Sequence, residues 1–126
     1  MSIYSHVTIG TNDLGKAREF YDAVLGTLGF KRLFDLDDRS GYGDDSPQFV
    51  VLKPIDGKAA SGGNGVTIGF VAPSRSAIDE FHKVALAHGG RCEGPPGLRP
   101  MIPNFYAAYV RDPAGNKLVA SCIKAP

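Results

Sequence analysis

Residues 6–30 read HVTIGTNDLGKAREFYDAVLGTLGF, and the change of rhythm inside this stretch decides the fold. From Ile3 to Gly10 apolar residues alternate, with Val7 and Ile9 on one face and Tyr4, His6 and Thr8 on the other, as in a strand with one buried side. From Asp13 the period becomes helical. Leu14, Ala17, Phe20, Tyr21, Val24, Leu25 and Leu28 form one stripe, with Asn12 as the expected cap and Gly29 as the expected stop. Three short strands are expected next, at residues 30–36, 39–43 and 48–53, separated by Asp37-Asp38 and Asp44-Asp45-Ser46-Pro47. The unit is βαβββ.

The same order of elements returns in the second half. A glycine-rich stretch, Asp56 to Gly65, leads to a strand over Val66 to Val71 and a helix capped by Ser74 that carries Ile78, Phe81, Ala85 and Leu86 and stops at Gly89-Gly90. A strand near Arg91 to Glu93, a Pro/Gly-rich loop from Gly94 to Pro103 and a hairpin of residues 105–111 and 117–123 complete the unit. A shift of 61 positions pairs His6 with Thr67, Val7 with Ile68, Phe20 with Phe81, Leu25 with Leu86 and Gly29 with Gly90 without a gap. The expected fold is therefore α+β: one domain, residues 1–126, of two fused βαβββ modules, residues 1–55 and 65–126, related by a pseudo-twofold axis. Each helix covers one face of its sheet, and the other faces are expected to meet at a shared cleft.

Composition narrows the function classes. The 126 residues are 43% hydrophobic and 21% charged with a net charge of +1, ordinary for a globular domain and without the charge blocks that attract nucleic acid. No apolar run reaches the ~20 residues of a membrane helix, and a cytoplasmic protein is the expectation. Cys92 and Cys122 are too few and too far apart for a disulfide framework or a CxxC site.

Three segments carry a family resemblance: HVTIGTNDLGKAREFYDAVLGTLGF, GNGVTIGF and PNFYAAYVRDPAGNKLVASC. They resemble the glyoxalase/bleomycin-resistance/dioxygenase proteins, the vicinal oxygen chelate superfamily. In metal-dependent members, the resemblance implies, a divalent ion sits in the cleft on His, Glu or Gln side chains from both modules. The first ligand position falls at His6, the second at Thr67 and the last at Val119, where relatives commonly carry Glu after G-N-x-I and this chain reads Gly115-Asn116-Lys117-Leu118-Val119. Thr is a poor ligand and Val none. Phe49, Val51 and Lys53 add neither carboxylate nor imidazole, and His82 and His88 lie on the second helix. The resemblance thus implies the fold without a competent metal, and no cofactor is expected.

The residues expected to bind a ligand are Tyr4, His6, Thr8, Thr67, Arg99 and Ser121, with His6 as the candidate acid/base and Arg99 as a clamp for an anionic or carbonyl group over the cleft mouth. Cys122 should point away from the cleft, opposite Val119 and Ser121. The expected function is binding of a small organic ligand between the modules; the alternative is a metal-dependent or acid/base lyase or isomerase of the glyoxalase type. A homodimer is expected, with neither nucleic acid nor membrane as partner.

Overall fold

The computed structural model describes residues 2–126. Its first half runs β1 (Val7–Gly10), α1 (Leu14–Gly26), β2 (Lys31–Asp35), β3 (Arg39–Gly43) and β4 (Pro47–Leu52), and its second β5 (Ile68–Val71), α2 (Arg75–Ala87), β6 (Arg91–Leu98), β7 (Tyr106–Arg111) and β8 (Lys117–Cys122). Each half makes its own four-stranded sheet, ordered β1-β4-β3-β2 and β5-β8-β7-β6. The two βαβββ modules read from the period changes are thus both present. β1 and β5, and α1 and α2, stand 61 positions apart at both ends.

β1 and β5 start later than expected, at Val7 and Ile68, and two further details differ. Asp13, not Asn12, caps α1, its carboxylate accepting from the Lys16 N–H at 3.1 Å; Asn12 instead exchanges hydrogen bonds with the backbone of Ala60. β6 runs to Leu98 through Pro95 and Pro96, so the first half of the expected loop is strand. Proline is tolerated there because β6 is the sheet edge and its register with β7 slips twice. The repeat also slips by one at the helix ends. The left-handed stop is Gly29 in α1 (φ 91°) but Gly89 in α2 (φ 90°), and Leu86, expected on the buried stripe, is exposed while its equivalent Leu25 is buried.

One core lies between the helix-covered sides of both sheets. It joins Phe20, Tyr21 and Val24 of α1 and Ile78, Phe81 and Ala85 of α2 with Tyr42, Phe49 and Val51 of the first sheet and Val110, Leu118, Ala120 and Cys122 of the second. Phe49 meets Tyr21 at 4.9 Å between ring centroids and Phe70 of β5 at 5.2 Å, so the aromatic packing crosses between modules. Full burial of each such side chain is worth about 1.5–3 kcal/mol.

A polar seam ties the modules as well. The buried Asp112 accepts from the Tyr21 hydroxyl at 2.5 Å and from Asn116 Nδ2 at 2.9 Å through Oδ2, and from the backbone N–H groups of Ala114 (3.0 Å) and Asn116 (2.8 Å) through Oδ1. The same Asn116 amide donates to Gly10 O of β1 at 3.0 Å. The segment Asp112-Pro113-Ala114-Gly115-Asn116 is therefore a structural clasp: it closes the β7–β8 turn and holds β1 and α1 against it.

Candidate functional site

The sheet registers sort side chains by face. In the first sheet Val7, Ile9, Phe49, Val51 and Tyr42 face α1, so Thr8, Val50 and Gly41 face the other way. Phe34 lies on that outward face, its ring where a Cβ on Gly41 would be. In the second sheet Leu118, Ala120 and Cys122 face α2, leaving Lys117, Val119 and Ser121 of β8, Ala107, Tyr109 and Arg111 of β7 and Gly69 and Val71 of β5 outward. Cys122 is buried in the core on the side opposite Val119.

The outward faces do not meet inside one chain. The sheets stay separate, β1 and β5 each end a sheet with one edge unpaired, and the main contact between modules is α1 against α2. The expected ligand-binding residues fall into two groups accordingly. Tyr4 and His6 are exposed ahead of β1, and Thr8 is exposed on it, all with the first module. His6 Nδ1 lies 3.0 Å from Ser5 Oγ. Thr67 is exposed just ahead of β5 rather than on it, and Ser121 is half-buried on β8. Arg99 belongs to this second group, because side chains built on Gly94 and Gly97 would meet its guanidinium at 3.2 and 3.3 Å.

Arg99 is held in place without a carboxylate. It donates to Gly97 O at 2.9 Å and Pro95 O at 2.7 Å, and its guanidinium carbon stands 5.5 Å from the Tyr109 ring centroid. Lys117 Nζ stands 5.4 Å from the same ring. Nothing in the sequence alone singles out Tyr109 or Lys117. The period-two pattern around Val119 marks both faces, but the cross-strand pairing of Tyr109 with Val119 is what puts them together.

A cavity of about 290 Å³ opens at the seam beside β1 and β5, walled by Val7, Phe30, Tyr42, Phe49, Ile68 and Phe70. Burial, first, and then the Asp22 carboxylate that accepts from its hydroxyl at 2.9 Å push the Tyr42 phenol above its ordinary range, so it stays protonated. These six walls are apolar apart from the Tyr42 hydroxyl, which is engaged by Asp22.

Of the three positions that the resemblance implied, only His6 carries a side chain that ligates a transition metal well. Among the described residues no group of three or more His, Cys, Asp or Glu side chains is placed to hold a metal. Val119 offers only methyl groups beside Gly69 and Thr67 only a neutral hydroxyl, a poor ligand.

Paired βαβββ modules, each with a helix on one face and an open sheet face on the other, define a class, and the comparisons agree. The chain belongs to the glyoxalase/bleomycin resistance protein/dioxygenase superfamily, whose family profile matches residues 3–119. It is 44% identical to a glyoxalase/bleomycin resistance protein from Albidiferax ferrireducens T118, with 95% of this chain and 98% of that one covered at a TM-score of 0.86. Lactoylglutathione lyase from Agrobacterium tumefaciens (21% identity, 95% and 92% covered, TM-score 0.66) shares the fold. So does the fosfomycin resistance protein FosX from Listeria monocytogenes (16% identity, 96% and 93% covered, TM-score 0.69). No curated protein matches the chain by sequence. No helix is long and apolar enough to cross a membrane among the described residues.

Proposed function

We propose that this protein binds a small organic ligand without a metal, in a cleft completed by a second copy of the chain. One observation carries the reading: of the sheet-edge strands, β1 and β5, equivalent strands of the two modules, border one apolar seam cavity and present their unpaired edges beside it. Open edges of this kind are normally paired or covered. In a twofold dimer β1 of one protomer lies beside β5 of its partner and the reverse contact forms with it, so both edges are covered at once. The outward face of the first sheet then stands opposite the outward face of the partner's second sheet, and Thr8 and His6 confront the surface of Ser121 and Arg99. Val71, 74% exposed, and the apolar seam cavity flank the edges and supply apolar area for the contact.

The ligand set argues for binding over metal chemistry, since Thr67 and Val119 stand at two of the three ligand positions and His6, exposed, hydrogen-bonds Ser5. The unpaired thiols Cys92 and Cys122 support a cytosolic setting. The test is sedimentation equilibrium with elemental analysis of tag-free protein. A dimer with sub-stoichiometric metal supports the proposal. A monomer at 100-fold above micromolar concentration, or one tightly held divalent ion per chain, refutes it.

A further inference from the structure

The charge on the second sheet is not spread evenly. Arg91, Arg111 and Lys117 are direct cross-strand neighbours on β6, β7 and β8 and so share the outward face, and Arg99 lies over the same face beside Tyr109. Like charges placed directly opposite one another disfavour the sheet unless something offsets them. Glu93 offsets one, accepting from Arg111 Nε at 2.7 Å, and that hydrogen bond above all holds its carboxyl below the ordinary range. Among the described residues Arg91, Arg99 and Lys117 have no carboxylate within ion-pair distance. Four cations thus face one carboxylate here, in a chain whose net charge is only +1. The facing wall is different: Thr8, Val50 and the Phe34 ring lie on the outward side of the first sheet, and Arg39 there is already paired with Asp38 at 3.0 Å.

We infer that the ligand of this cleft is an amphipathic organic anion, with its acidic group held by Arg99 and Lys117 beside Tyr109 and its apolar body against the Phe34 ring of the partner's first sheet. The inference rests on the composite cleft proposed above. Arg99 supplies a positive charge already oriented by two backbone carbonyls, so little side-chain freedom is lost when a carboxylate, sulfonate or phosphate arrives. Lys117 adds a second charge across the same ring, and the ring itself presents a face to a flat ligand.

Two fluorescent probes separate the charge from the body. Anilinonaphthalene sulfonate and N-phenyl-1-naphthylamine share the aromatic frame, and only the first carries an anion. Titrated into the parent protein, the sulfonate binds tighter than the neutral probe by about tenfold, and 0.5 M salt removes most of the difference. Arg99→Gln with Lys117→Gln lowers sulfonate affinity by about tenfold and leaves the neutral probe within about twofold. Melting curves confirm that the double variant folds, and a Lys117→Arg variant that retains sulfonate affinity shows that charge is what matters. Equal affinity for the two probes, or a double variant that binds the sulfonate like the parent, overturns the anion inference while leaving the cleft in place. Failure of both probes to bind overturns the small-molecule reading and this inference with it.

Discussion

Tyr21→Phe isolates the clasp between the modules. The Tyr21 ring is fully buried between Phe20 at 5.0 Å and Phe49 at 4.9 Å, and phenylalanine keeps those contacts, so the packing term cancels. What is lost is the hydroxyl that donates to Asp112 Oδ2 at 2.5 Å, leaving that oxygen with Asn116 Nδ2 alone. A hydrogen bond to a buried carboxylate is worth about 1.5–3 kcal/mol, and with one donor remaining we expect a loss of about 2 kcal/mol. For a chain of this size that corresponds to a melting decrease of roughly 6–10 °C. Urea unfolding at pH 7 measures it directly. A second signature lies in alkali. Burial first, and then the Asp112 charge, raise the Tyr21 phenol well above 10.0, so the folded state keeps a proton that the unfolded chain gives up. Parent stability therefore falls as pH rises above about 10, while the variant lacks that loss and the gap narrows. A difference below about 0.5 kcal/mol at pH 7 would show that the clasp holds nothing together.

Three further outcomes follow from the same structure. His82 has its Nε2 buried without a partner and its pKa lowered from 6.5 by desolvation, so the parent loses stability as pH falls below about 6.5; His82→Gln should lose less between pH 7 and 5, and parallel curves would refute this. Gly90→Ala would place a methyl group 2.8 Å from the carbonyl oxygens of Ala85 and Arg111, and denaturant unfolding should show a loss of about 1–3 kcal/mol, with an unchanged midpoint as the contrary result. Zinc, nickel, manganese or ferrous ion should move the melting temperature by less than about 2 °C, in the parent and in His6→Ala alike, since an ion stabilises only by preferring the folded state. A rise of many degrees lost in His6→Ala would contradict the fit argued from Thr67 and Val119.

Much of the fold is legible in the sequence because periodicity reports burial directly. The stripe from Leu14 to Leu25 and the alternation Leu118, Ala120, Cys122 each name a core face, and both faces are buried. The choice of cap between Asn12 and Asp13 is not legible. It turns on Ala60, 48 residues away, whose backbone engages Asn12 and leaves Asp13 to close the helix. The strand through Pro95 and Pro96 hides for a similar reason, since composition marks a loop and only an edge position with bulges reconciles proline with a ladder.

The candidate site is legible only by halves. Alternation tells which side of a strand faces out, and so selects Thr8, Val119 and Ser121. It does not tell which outward faces meet, because that depends on how the helices pack, and here α1 on α2 draws the covered sides together and turns the open sides apart. The row Arg91, Arg111, Lys117 spans 26 positions and becomes a row only through strand register.

Mixed dimers test the central claim. Thr8→Glu blocks the first-module wall and Ser121→Glu the second-module wall, by bulk and by like charge, so neither homodimer should bind anilinonaphthalene sulfonate although both remain dimeric by sedimentation. After the two variants are unfolded and refolded together in equal amounts, about half of the dimers combine both chains, and each of these has one cleft with both walls intact. Binding should return to about a quarter of the parent's capacity. If the mixture binds no more than the separate variants, the two walls belong to one chain or to no common cleft, and the account of a site completed between copies is wrong.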